Sequence, residues 1–294
     1  FHWGPLRAKV ELDPAGLRRI EAGTEDRRLT MNLTPDGEAY QVDIQGKHWP
    51  LPVGPAIEFD ELAGKGRLTA HALELPEIAG KLYGGELHGS SRVDWTHGIK
   101  VRGNVRTTGI EIGPVVRLMT RSASLSGKLY ANGGYSLGAK NAAQLADSLR
   151  ASFKFEVRKG VLYNFDLASA VRSLAREGTR GGQTRFDELS GTVNLIGKNT
   201  QLRDVKIASG LLQARGNVDI AASKKLSGTV NAEMKGTANL VSVPLEVSGT
   251  LQDPVLIPNR SALAGAAVGT GLMGPGFGTS VGAKAGEALD KLFR

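Results

Sequence analysis

Apolar and polar residues alternate strictly in several stretches of this chain, and a period of two is the signature of a β-strand with one buried face. In residues 212–220 every even-numbered residue is apolar or glycine, and every odd-numbered residue is polar or charged. The same alternation recurs in five further runs, at residues 101–105, 153–157, 189–195, 226–232 and 245–251. The sequence therefore predicts a fold that is mainly β.

Two of these runs are also alike in residue identity. The letters LSGTVN occur at residues 189–194 and again at 226–231, and LSG alone occurs at 125–127. Similar strands joined by glycine, asparagine and aspartate turns favour an antiparallel meander that grows by adding one strand after another. We therefore expect the sheet to be long and open.

Helical patterns are few and short. The proline that follows Asp13 predicts a short helix that runs through Leu17 and Ile20. Helical spacing predicts three further short helices, at residues 113–121, 141–150 and 166–176. None of them is long enough to cover the apolar faces of the predicted strands, so those faces need another partner.

Two architectures satisfy that need. In a β-sandwich two sheets would cover each other, whereas a long, curved antiparallel sheet would form a groove whose apolar lining takes up acyl chains. We expect the apolar residues to share one continuous sheet face, because a slip of one residue in the register turns a whole strand's apolar set outward. The residues expected to line this groove are Val193, Leu195, Val218, Ile220, Val230, Val247 and Leu251.

The C-terminal segment has a different composition. No charged residue occurs between Arg260 and Lys284, and glycines recur there at intervals of four. Pro275 is expected to divide two short helices, of which the second, over residues 277–293, is amphipathic. The residues expected to contact a membrane are Phe277, Val281, Leu289 and Leu292. The alternative is a glycine-rich flexible tail whose terminal helix docks on the protein itself.

The charge balance points to phosphate-rich partners. Lysine and arginine outnumber aspartate and glutamate by 37 to 29, which gives a formal net charge of +8. Nucleic acid and anionic lipid headgroups both suit such a balance. The basic residues are scattered singly and no recognition-helix pattern accompanies them, so we expect no nucleic-acid partner. The chain has no cysteine, which excludes thiol catalysis and cysteine-ligated metal centres.

Catalytic motifs are present only in isolation. Two G-x-S-x-G motifs, around Ser136 and Ser280, match the nucleophile elbow of serine hydrolases. That class needs a histidine after the serine, but all five histidines precede Ser136. A G-x-G-x-x-G motif at residues 269–274 lacks the parallel βαβ context of a dinucleotide site, and the histidines have no metal-ligand spacing. We therefore expect no enzymatic activity, no metal and no cofactor.

Several segments resemble the AsmA family of Gram-negative envelope proteins in pattern and order. They are residues 82–89, 125–127, 155–162, 186–191 and 244–254. The resemblance implies a repeating β-groove that handles or conducts phospholipid between the inner and outer membranes and supports outer-membrane biogenesis. It also implies a periplasmic location, with a tether to the inner membrane upstream of Phe1. Because Phe1 is not a methionine, we expect a mature or excised fragment.

Three regions are expected along the chain. Residues 1–55 form an N-terminal β/α segment, residues 56–258 an AsmA-like region of repeated strands, and residues 259–294 a glycine-rich apolar segment with an amphipathic helix. Three functions stay open: a lipid-conducting groove, a scaffold for outer-membrane protein assembly that carries no lipid, and an unrecognised hydrolase. The expected partners are phospholipid or another acyl-chain lipid, a membrane surface and outer-membrane proteins.

Overall fold

The computed structural model describes residues 6–14, 16–51, 57–118, 125–141, 144–173, 179–210, 212–235 and 240–259. It is mainly β, with 75% strand and 7% helix. The described strands are β1 (Leu6–Asp13), β2 (Gly16–Thr24), β3 (Leu29–Asp36), β4 (Ala39–Pro50), β5 (Glu58–Leu68), β6 (Ala72–Leu82), β7 (Gly85–Asp94), β8 (Ile99–Glu111), β9 (Lys128–Ala139), β10 (Arg150–Tyr163), β11 (Gln183–Ile196), β12 (Asn199–Ala208), β13 (Leu212–Ile220), β14 (Leu226–Lys235), β15 (Leu240–Gly249) and β16 (Pro254–Pro258). The described helices are α1 (Ile112–Arg117) and α2 (Leu167–Ser173).

The strands of the described residues form one long, open antiparallel sheet. The order runs from β1 to β16 without a crossover, so each strand lies beside its neighbours in the chain. Short turns join the hairpins: Leu82 pairs with Gly85, and the two residues between them, Tyr83 and Gly84, both have positive φ, as a tight hairpin turn requires. The predicted long antiparallel sheet is confirmed, and the alternative of a β-sandwich is wrong.

The helix predictions were right in two places out of four. Helices α1 and α2 confirm the second and fourth predicted helices, whereas the third is reduced to a 3₁₀ turn at Ala146–Ser148. The helix predicted after Asp13 is wrong, because Gly16–Thr24 is strand β2. Its backbone pairs with β1 and β3, and this pairing outweighs a local capping signal worth about 1 kcal/mol.

The chain divides into two compact units. Unit 1 comprises Phe1–Gly160 and Ser190–Gln201, and unit 2 comprises Val161–Leu189 and Leu202–Arg294. The region boundaries expected near residues 55 and 258 stay predictions.

The strand register gives the sheet of unit 1 an apolar face and a polar face. Residues directly opposite one another on paired strands point to the same face. One row across β3 to β10 consists of Met31, Ile44, Gly64, Ile78, Gly89, Val105, Gly133 and Phe153. The adjoining row on the same strands consists of Thr30, Gln45, Ala63, Ala79, His88, Arg106, Asn132 and Lys154. Apolar residues and glycines thus share one face, and charged residues lie on the other.

A small core closes one end of the apolar face in unit 1. Phe59, Leu82 and Ile110 are buried there, at the start of β5 and the ends of β6 and β8. Val115 of α1 packs against this cluster together with Leu129 of β9. Helix α1 therefore covers this end of the face.

In unit 2 the apolar residues form a closed core. Val218, Gly228, Val247 and Leu256 are directly opposite one another across β13 to β16. The parallel row contains Leu245, which is only 1% exposed. Helix α2 packs against β14, β15 and β16, and its residues Leu167, Ala170 and Val171 are buried. The helix and the sheet therefore bury each other's apolar surfaces.

Candidate functional site

The apolar face of unit 1 is an extended surface whose central row crosses the eight strands β3 to β10. Ile44, Ile78, Val105 and Phe153, which lie on four different strands of one row, are all half-buried. The strands of unit 1 lie side by side in one sheet. Of the helical segments described in unit 1, α1 packs at one end of the face and the 3₁₀ turn at Ala146–Ser148 contacts β9. Contiguous apolar surface is typical of sites that bind lipid, a ligand or another protein.

Glycine and larger apolar residues alternate across this face. In the row from Ile44 to Phe153, glycine stands on β5, β7 and β9, and a larger residue stands on β4, β6, β8 and β10. The larger side chains lie over their glycine neighbours: a Cβ at Gly133 would be 2.7 Å from Phe153 Cδ1. The side chains are therefore half-buried against the backbone, and their outer sides form a shallow apolar surface.

Val193 and Leu195 lie on this apolar face. Ser152 Oγ of β10 donates a hydrogen bond of 2.7 Å to Asn194 Oδ1 of β11, which places Asn194 on the polar face. Because side chains alternate along a strand, Val193 and Leu195 point to the apolar side, where Phe153 also lies. Both are half-buried.

The other predicted groove residues lie in unit 2. Val218, Ile220, Val230 and Val247 share one face of β13, β14 and β15, as the register requires. Val247 is only 2% exposed, so it belongs to the core under α2. Leu251 lies beyond the end of β15, where its backbone N–H donates to the Lys224 carbonyl at 3.0 Å. The expectation that all seven residues line one open groove stays a prediction.

The residues predicted to contact a membrane, Phe277, Val281, Leu289 and Leu292, lie outside the described residues. In the part of the chain that is described, no helix has the length and apolar character needed to span a membrane.

The early strands β4, β5 and β6 also contribute to the apolar face. Ile44, Leu62 and Ile78 were not among the predicted site residues. A signal was available, because residues 41–47 and 61–68 alternate as the later runs do. In β6 a bulge between Leu75 and Ile78 shifts the register, and the alternation in the sequence is lost there.

The polar face carries paired charges on neighbouring strands. Lys81 Nζ of β6 lies 2.8 Å from Glu61 Oε2 of β5. Their hydrogen bond lowers the pKa of the Glu61 carboxyl and raises the pKa of the Lys81 ammonium. Among the residues that the structure describes, no three histidine, aspartate or glutamate side chains come together as a metal site would require.

Comparison of the chain with protein-family models, with curated proteins and with solved structures finds no match. The resemblance to the AsmA family therefore rests on the sequence segments alone.

Proposed function

We propose that this chain is a non-enzymatic lipid-binding protein of the AsmA type, in which the apolar face of unit 1 holds the acyl chains of phospholipid. It works in the periplasm, tethered to the inner membrane by a segment upstream, and handles or conducts phospholipid between the inner and outer membranes. This activity would support outer-membrane biogenesis.

The observation that carries the proposal is the half-buried apolar face of unit 1. Apolar residues or glycines occupy every position of the row from Met31 to Phe153. An acyl chain laid along such a strip gains about 0.8 kcal/mol for each methylene that leaves water. A binding mode of this kind needs no catalytic group, which agrees with the isolated motifs in the sequence.

A second candidate function is a scaffold for outer-membrane protein assembly. The observation that favours it is strand β1, the first strand of the sheet, whose apolar residues Leu6 and Leu12 are 60% and 74% exposed. No described strand pairs with the outer edge of β1. An exposed apolar strand edge can pair with an extended segment of another protein.

The test is lipid extraction from the purified chain followed by mass spectrometry. Ile44→Glu adds a negative charge to the apolar face, and Gln45→Glu adds the same charge to the polar face of the same strand. A charge in contact with an acyl chain loses hydration without gaining a partner. We expect Ile44→Glu to lower the bound lipid by about tenfold or more, and Gln45→Glu to bind lipid as the natural chain does.

Circular dichroism provides the control for folding, since Ile44 is only half-buried and both variants should keep the spectrum of the natural chain. If no lipid is extracted, or if both variants lose it equally, the apolar face is not the lipid site. A chain that carries no lipid but pairs through β1 with outer-membrane proteins would favour the scaffold.

A further inference from the structure

A second candidate site lies on the polar face of unit 1, opposite the proposed acyl-chain site. A depression of about 900 Å³ opens over β6 to β12, and its lining includes Glu74, Pro76 and Ile196 besides the residues named next. Two complete rows of the polar face line it: Ser90, Asn104, Gly134 and Ser152 in one, and Arg92, Arg102, Ser136 and Arg150 in the other. Asn194 extends the first row onto β11.

The first arginine of the second row is neutralised within the protein. Arg92 forms ion pairs with Glu74 and Asp94. The backbone N–H of Thr96 donates to Asp94 Oδ1 at 3.1 Å and lowers the pKa of the Asp94 carboxyl, so Asp94 stays ionised beside Arg92.

The other two arginines have no such compensation. Within the described part of the chain, neither Arg102 nor Arg150 forms an ion pair. Arg102 is directly opposite Arg92 on one side and Ser136 on the other, and Arg150 faces Ser136 from β10. Arg102 and Arg150 therefore flank Ser136 as two uncompensated positive charges on one face. Like charges that are close together on a sheet face repel one another, and an anion bound between them would relieve the repulsion.

The geometry between these arginines leaves room for a small anion. Strands are spaced about 4.8 Å apart, so the backbones of Arg102 and Arg150 lie about 10 Å apart on either side of β9. On its polar face, the intervening strand places the small residues Gly134 and Ser136 beside the depression. Tyr135, which stands between them and also lines the depression, has its side chain on the opposite face of the strand. The long side chains of Arg102 and Arg150 can bring their guanidinium groups together above Gly134 and Ser136. The planar guanidinium groups match the geometry of the oxygens of a phosphate group.

The neighbouring row offers uncharged polar groups. Ser90, Asn104 and Ser152 supply hydroxyl and amide groups beside the arginines, and Ser152 already donates to Asn194 at 2.7 Å. Hydroxyl and amide groups both donate and accept hydrogen bonds, as the hydroxyl groups of a polyol do. The depression thus combines a cationic side with a neutral hydrogen-bonding side.

We propose that this depression binds a phosphate group carried on a polyol, with Arg102 and Arg150 holding the phosphate and the Ser90 to Asn194 row holding the hydroxyl groups. A soluble sugar phosphate and the glycerophosphate headgroup of a lipid share this chemistry. The site is independent of the acyl-chain site, because it lies on the other face of the sheet.

Calorimetric titration of the full chain with glucose 6-phosphate and with glycerol 3-phosphate tests the soluble source. Glucose and glycerol serve as probes without phosphate. Co-flotation with phosphatidylglycerol vesicles, compared with phosphatidylcholine vesicles, tests the lipid source. The site variant is Arg102→Gln/Arg150→Gln, and the control variant is Arg106→Gln/Lys154→Gln, which removes the same charge from the same face of the same two strands outside the depression.

We expect the site variant to weaken binding of the phosphorylated probe by about tenfold or more, while the control variant stays within about twofold. Both variants should have the melting temperature of the natural chain. If the site variant unfolds, Arg150→Lys replaces it, because lysine keeps the charge but lacks the planar guanidinium. Arg150→Lys should weaken binding by a smaller factor than the double variant. Binding in the soluble arm assigns a sugar phosphate, and binding only to phosphatidylglycerol vesicles assigns a headgroup. Equal loss in site and control variants, equal binding of unphosphorylated glucose, or no binding in either arm would overturn the proposal.

Discussion

Leu245→Ala should destabilise unit 2 far more than the same change destabilises the open face of unit 1. Leu245 is 1% exposed, with Val230 and Pro258 directly opposite it on the two neighbouring strands. Removing three buried carbons costs about 2.4 kcal/mol at about 0.8 kcal/mol each. The cavity left beneath α2 adds to this, so we expect a loss of about 3 to 4 kcal/mol in the free energy of unfolding.

The comparison variant is Leu75→Ala. Leu75 is a half-buried residue of the apolar face in unit 1, and its Cδ2 would be 4.0 Å from a Cβ at Gly64. Part of the surface of a half-buried leucine remains in contact with water in the folded chain. Its truncation should therefore lower the free energy of unfolding by only about 1 to 2 kcal/mol.

Urea titration measures both losses. Far-ultraviolet circular dichroism follows the whole sheet, whereas tryptophan fluorescence follows unit 1, which contains all three tryptophans. The slope of the free energy of unfolding against urea concentration should be the same in the variants and the natural chain, so that a shift in the midpoint reports a change in stability. A loss of less than about 1 kcal/mol for Leu245→Ala, or equal losses in the two variants, would refute the distinction between a closed core and an open face.

Three further outcomes follow from local contacts. Gly66→Ala should destabilise unit 1 by about 1 to 3 kcal/mol, because the added Cβ would lie 1.8 Å from the Glu74 carbonyl oxygen. The control is Gly138→Ala, whose added Cβ would lie 3.9 Å from its nearest neighbour. This control should have a melting temperature within about a degree or two of that of the natural chain. Thr184→Val should cost about 1 to 3 kcal/mol in urea titration, because the buried Thr184 hydroxyl donates at 2.7 Å and accepts at 3.1 Å at the start of α2. The pKa of Glu61 is lowered from 4.5 in the folded chain, so its contribution to stability is present above that value and is lost as the pH falls through the folded pKa. Glu61→Gln should therefore melt slightly lower than the natural chain at neutral pH and equally in strong acid.

Strand positions could be predicted where the register is regular. The run 212–220 coincides with β13, and the run 226–232 falls inside β14. These strands pair without a bulge, so that the period of two in the sequence is also the period of the faces. The run 245–251 extends beyond β15, because the strand ends at Gly249 and a turn follows.

The covering of each apolar face could not be predicted, because it depends on contacts between distant parts of the chain. The alternation in residues 189–195 and in 226–232 is the same. Val193 and Val230 are at corresponding positions of the two runs and are both half-buried. Yet Val193 lies on the face of unit 1, whereas Val230 lies in unit 2 directly opposite the buried Leu245. Periodicity tells which side chains share a face, and only the tertiary structure tells what lies on it.

The size of the helices shows why the two units differ. Helix α2 has seven residues and packs against three adjacent strands, which span about 10 Å, and a helix of that length is also about 10 Å long. Helix α1 has six residues, whereas the apolar row of unit 1 crosses the eight strands β3 to β10 and spans about 34 Å. A helix of one or two turns can therefore cover the apolar face of unit 2 but only one end of the apolar face of unit 1. Among the described helices, α1 covers only one end of this row. The rest of the row is long and narrow, which is the shape that the proposed binding of an extended acyl chain requires.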